Sequence, residues 1–144
     1  MKKLVIWPLL AVLCVALIGV LNTASAFSAC DQLGDNGKCS IYRASMIELV
    51  VNPEKFDGKT VRIIGYLNLE FEGNVLYPHK EDFVNAILGN GVWVDIDTTP
   101  LPKKASCRSR RYAILEGIFS SKNHGHMGAW SGSLERISRC DLWR

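Results

Sequence analysis

The sequence predicts a mainly β domain with short helices, a small five-stranded barrel, preceded by a segment cleaved on export. Three observations carry this expectation. Residues 61–72 form one long alternating run broken only by Gly65, which is how a strand bends tightly enough for a small barrel. Four cysteines remain once the first 26 residues are set aside, an even number suited to a disulfide framework. Those first residues combine a positive start, an apolar stretch and a small-x-small exit.

In the leader, Lys2 and Lys3 supply the positive charge, Leu4 to Leu21 is almost continuously apolar, and Ala24-Ser25-Ala26 is the exit, so cleavage is expected after Ala26. An uncleaved anchor is the alternative, since the run is about as long as the shortest spanning helix. Pro8 and the small-residue exit argue against it. A lipoprotein site at Phe27-Ser28-Ala29-Cys30 suffers from its phenylalanine and from its distance past the apolar run. The chain then divides into a signal peptide (1–26), an N-terminal disulfide-containing segment (27–42) and a barrel domain (43–144), exported to the periplasm or surface of a bacterium. The whole chain has 17 Lys and Arg against 14 Asp and Glu; without Lys2 and Lys3 the balance is 15 to 14, a net charge of +1. Such a domain has no general attraction for nucleic acid, and contact with membrane is expected only through an uncleaved leader.

Cys14 leaves with the leader, and the other four cysteines allow three pairings. Cys30 and Cys39 flank Leu33-Gly34-Asp35-Asn36-Gly37, whose residues turn easily. Cys107 and Cys140 are equidistant from residues 123–124, so they face each other if 107–140 is one hairpin. Loop entropy assigns about 3 kcal/mol to the first bridge and about 4 to the second.

A short helix is expected over 45–51, with Ser45 as N-cap and Glu48 at capping-box spacing, stopped by Asn52-Pro53. After the turn Phe56-Asp57-Gly58-Lys59, the first strand points Val61, Ile63, Leu67, Leu69 and Phe71 one way. Arg62, Ile64, Tyr66, Asn68, Glu70 and Glu72 point the other. Gly73-Asn74 turns the chain into a second strand over 75–79. Residues 81–88 read as a helix ended by Gly89, and 91–97 as a third strand with Trp93, Asp95 and Asp97 outward. Residues 98–110 are an irregular basic loop; 111–120 and 134–139 are the fourth and fifth strands.

A helix followed by NPEKFDGKTVRIIGYL resembles the opening of many OB-fold-like exported bacterial domains. With LEFEGNVLYPHKEDF, GVWVDI and GHMGAWSGS, residues 43–139 resemble a family of small exported bacterial proteins of unassigned function. The resemblance implies an OB-like barrel and transfers no activity to any residue.

The expected role is a non-catalytic binding or interaction module for a protein partner or small ligand. The candidate surface is Glu70, Glu72, Tyr77 and His79 on the first two strands, with Trp93 and Trp130; mixed charge and aromatic groups suit recognition. A second reading is a metal protein: His79, His124 and His126 are all the histidines of the chain, HxH spacing puts two imidazoles on one side of an extended segment, and Met127 adds a soft donor, so zinc or copper is the cofactor considered. The strand order places His79 and the HGH loop at the same end of the barrel. A third reading, hydrolysis by carboxylates near His79, has the weakest support, because no GxSxG, HExxH or phosphate-loop pattern is present. No cofactor and no catalytic residue are assigned.

Overall fold

The computed structural model describes residues 30–98 and 100–144. The leader expected over 1–26 lies outside the described residues. In chain order the elements are β1 (Cys30–Leu33), β2 (Cys39–Arg43), α1 (Met46–Val51), β3 (Thr60–Asn68), β4 (Val75–Tyr77), α2 (Lys80–Val84), β5 (Val92–Val94), β6 (Arg111–Ser120) and β7 (Ser133–Leu142). Strands β3, β4, β5, β7 and β6 pair in that order, and β6 returns to β3, closing a five-stranded OB-like barrel. Within it only β5 and β7 run parallel.

Strand β3 makes the closure possible. It pairs with β6 from Thr60 to Leu67 along one edge, and with β4 from Tyr66 to Asn68 along the other. Gly65 lies where β4 arrives: a Cβ there would stand 2.5 Å from the Tyr77 carbonyl oxygen and 2.8 Å from Leu76 Cγ. The inward residues Val61, Ile63 and Leu67 meet Leu76, Val92, Val94, Leu115, Phe119 and Leu134 in the core. One end of this core is covered by Met46 and Leu49 of α1 together with Phe56. Helix α1 starts as expected: the Glu48 N–H donates to Ser45 Oγ at 3.1 Å, and the Ser45 N–H donates back to the Glu48 carboxylate at 3.0 Å.

Several boundaries differ from the sequence expectation. The first strand stops at Asn68 because Asn68 Nδ2 donates to the Gly73 carbonyl at 2.9 Å and closes a turn four residues early; Phe71 therefore lies in solvent instead of in the core. The second helix ends at Val84, with Ala86 in the left-handed region at φ 52°, and a 3₁₀ turn over Leu88–Asn90 follows. The third strand is only Val92–Val94, since Asp95 turns to accept the Thr98 N–H at 3.1 Å. The fifth extends over Ser133–Leu142. Residues 30–43 form a hairpin instead of a bare disulfide loop, and β2 adds to β3 in parallel.

Both expected disulfides are present, Cys30–Cys39 and Cys107–Cys140, and fit an oxidising location. Cys107 and Cys140 do not face each other across one hairpin centred on residues 123–124, as their spacing predicts. Cys140 stands opposite Leu115, because the 121–132 connection and an irregularity near Gly117 shift the register. Cys107 instead reaches Cys140 from the loop before β6, where the Ser106 and Cys107 N–H groups both donate to the Cys140 carbonyl. Among the described residues no helix is long and apolar enough to cross a membrane.

A row of charges in register crosses the outer face: Arg43, Arg62, Glu116 and Arg139 are consecutive partners on β2, β3, β6 and β7. Glu116 accepts from Arg62 Nε at 2.6 Å and from Arg139 Nη1 at 3.2 Å. Asp31 of β1 pairs with both Arg43 and Arg62, offsetting the repulsion of two adjacent guanidiniums. Asp141 ends the row, accepting from Arg139 Nε at 2.7 Å.

Gly65→Ala is expected to cost about 1–3 kcal/mol in urea unfolding, because the new methyl group meets a backbone oxygen; an unchanged midpoint contradicts the close approach of β4. Acid provides a second test. The Arg139 guanidinium holds the Asp141 carboxyl below its usual range, the Ser45 N–H does the same for Glu48, and the Ser121 N–H for Asp57. A depressed carboxyl contributes its full stability above the unfolded-state pKa of about 4 and loses it as pH falls through the folded value. Tm should hold from about pH 7 to 5 and fall below about 4, with a shallower fall in Asp141→Asn; a Tm that rises on acidification contradicts this.

Candidate functional site

The outward faces of β3, β4 and β5 carry an aromatic layer. Tyr66 stands opposite Tyr77, and Val75 opposite Trp93, in the register of these strands. Phe83 of α2 covers the two tyrosines, with ring centroids 5.9 and 6.0 Å away, and Trp130 covers Trp93 at 4.9 Å. Tyr77, Trp93 and Trp130 are consequently buried. Trp93 is the base on which a loop rests, and the ring faces of all three do not meet solvent.

That loop, residues 121–132, is fixed along its length. The Ser121 N–H donates to Asp57 Oδ1 at 2.8 Å, Asn123 Nδ2 to Glu135 Oε1 at 3.0 Å, and the Gly125 N–H to Asn123 Oδ1 at 3.0 Å. Gly125, at φ 67°, lies flat on the Trp93 ring, where a Cβ would come within 2.6 Å of Cγ. His124 and Trp130 close the loop on themselves: the Trp130 N–H donates to the His124 carbonyl at 3.2 Å, and His124 Nδ1 donates to the Trp130 carbonyl at 2.7 Å. A carbonyl partner requires the proton on Nδ1.

The turn 69–74 is equally well held. Ser109 Oγ accepts the Leu69 N–H at 2.8 Å, the Gly73 N–H donates to the Glu70 carbonyl at 3.0 Å, and Glu70 lies 3.9 Å from Arg110 Nη2. Glu72 takes a left-handed backbone at φ 55°. Its carboxylate stands 3.6 Å from His126 Nε2, so turn and loop meet through this pair. The residues beside the pair, Phe71 and Met127, are 91% and 90% exposed. Met127 is also left-handed, at φ 55°. Among the described residues these are the two most solvent-facing of the exposed large apolar side chains, and each lies at or next to a left-handed residue, Phe71 beside Glu72 and Met127 itself.

The sequence-derived surface is therefore divided by the structure. Glu70 and Glu72 belong to the turn, Trp93 lies beneath the loop against the loop's own Trp130, and Tyr77 lies beneath α2. His79 lines a separate groove beside α1, whose lining includes neither His124 nor His126. Its N–H donates to Asp82 Oδ2 at 3.1 Å, so Asp82 is engaged in starting α2. Among the described residues no three His, Cys, Asp or Glu side chains are grouped to hold a metal ion. No sequence pattern marks Phe71, Ser109, Asn123 or Asp57 as part of this site. Alternation assigns Phe71 to the core, and the anchors are ordinary polar loop residues whose partners lie 12 to 64 positions away. Comparison of the chain with family models, curated proteins and solved structures finds no match.

Gly125→Ala adds a methyl group against Trp93 at a positive φ. It should lift the loop, shift tryptophan emission to the red and cost about 1–3 kcal/mol; an emission spectrum and stability equal to the parent's contradict the packing described.

Proposed function

We propose that the protein is an exported, non-catalytic interaction module that engages a protein partner through the end of the barrel formed by turn 69–74 and loop 121–132. The observation that carries this reading is the pair Phe71 and Met127: two large apolar side chains in solvent, on loops joined by the Glu72–His126 contact. Leaving such groups exposed has no folding benefit, and an apolar centre bordered by charged groups is the usual composition of an interface. Aromatic anchors at interface centres also carry a disproportionate share of binding energy. In OB folds the loop between the first two barrel strands and that between the last two commonly flank the ligand site, and these are the two loops in question. Export is supported by the leader pattern and by the two disulfides.

The test is site-specific photo-crosslinking in the producing cells. A benzophenone side chain at position 71 or 127 should give a discrete adduct, and one at Lys38 on the hairpin tip should not. Phe71→Ser should lower the yield from position 127 by about tenfold or more, as expected for loss of an anchoring aromatic. No adduct from either loop, or equal adducts from Lys38, refutes the assignment.

A further inference from the structure

Strand β3 has a gap on one edge. Its odd-numbered residues face β6, as shown by the Arg110 N–H donating to the Leu67 carbonyl at 2.7 Å beyond the end of that ladder. Its even-numbered residues face the opposite edge, where the Ala44 N–H donates to the Arg62 carbonyl at 3.1 Å and β4 is in register with Tyr66 and Asn68. Ile64 falls between these two attachments. Among the described residues neither its N–H nor its C=O has a hydrogen-bond partner on that edge.

Local sequence opens the gap. Ser45 caps α1, so the chain leaves β3 immediately after Ala44. Pro78 follows β4 and has no N–H to extend the ladder, and the next N–H, of His79, is committed to Asp82. The two flanking segments thus part at Ile64 and leave a groove of about 810 Å³. Ile64, Ile114, Ile47, Pro78 and Trp143 supply its apolar lining. Trp143 is set in place by its N–H, which donates to the Tyr112 carbonyl at 2.9 Å. The groove's charges are paired, Asp31 with Arg43 and Arg62, and Glu48 with Ser45 and, at 3.7 Å, with Lys55; three cations against two acids leave the rim net positive, and the side chains of Arg43 and Lys55 still face solvent.

An unpaired donor and acceptor, directed the same way from one residue of a sheet, match the backbone of one residue in an extended chain. We propose that this gap binds an extended peptide segment that adds to β3 at Ile64. It places an apolar side chain against Ile114 and Trp143 and an acidic neighbour toward Arg43 or Lys55. The backbone requirement favours a peptide over an amphiphile, which has an apolar chain and an acid but no amide pattern to complete the sheet. The site is separate from the loop-bearing end of the barrel, so it stands or falls independently of the reading above.

The test uses the ¹⁵N-labelled protein as isolated and the blocked pentapeptide acetyl-Glu-Val-Phe-Val-Glu-amide. In the free protein the Ile64 amide should exchange about tenfold or more faster than those of Ile63 and Gly65. Millimolar peptide should slow it about tenfold and shift the Ile64 amide and Trp143 indole signals. The same peptide methylated on its three central nitrogens should lose this effect. Lys55→Gln, which removes one surface charge and its 3.7 Å contact with Glu48 but leaves the Ser45–Glu48 cap, should weaken the parent peptide and leave a Gln-flanked one unchanged. No response at Ile64, equal binding of the methylated peptide, or shifts with sodium dodecanoate but not with the peptide would overturn the proposal.

Discussion

The structure depends on one strand being paired along both edges. A five-stranded barrel needs a strand that curves enough to meet β6 on one side and β4 on the other, and β3 does so where Gly65 admits the Tyr77 carbonyl. Closure then fixes everything the strand carries. Its inward residues set the core, its outward tyrosine and asparagine set the aromatic layer and the first turn, and Arg62 joins the charge row that links four strands. In that row the acids Asp31 and Glu116 are buried beneath arginines that reach solvent. The row's effect is on register, because slipping β6 by one residue would turn Glu116 inward and leave Arg62 without its acid.

From this frame two features follow at different places. At one end, the aromatic layer and a set of directional hydrogen bonds hold turn 69–74 and loop 121–132 against each other, with Phe71 and Met127 directed into solvent. On the side, the flanking segments diverge at Ser45 and Pro78 and leave Ile64 open. The first feature is an outward projection and the second a recess. Both arise where backbone geometry is settled by residues other than those displayed, which is what permits a small domain to show apolar surface without collapsing onto it. The two disulfides, one in the β1–β2 hairpin and one tying the loop before β6 to β7, constrain the segments with least core of their own.

Much of the fold was legible from local signals. The Ser45–Glu48 capping box, the inward Val61, Ile63 and Leu67, the bend at Gly65 and the two cysteine pairs all rest on short-range chemistry. Alternation failed where a side chain overrode it: Asn68 ends β3 by bonding Gly73, and Phe71 moves from the expected core to solvent. The site was legible only in part. Glu72 and the HGH loop do come together, but through His126 and without His79, whose neighbour Asp82 begins a helix. Trp93 carries the loop, against the loop's own Trp130, instead of a ligand-facing surface, a distinction that depends on Gly125 and Asn123 and has no one-dimensional signature.

The barrel holds the two loops in a single prepared arrangement. Backbone ¹⁵N relaxation tests it most directly. Order parameters near about 0.85 across 69–74 and 123–130, equal to those of β3, are the expected result. Values below about 0.6 in either segment would show mobile loops instead and contradict the account.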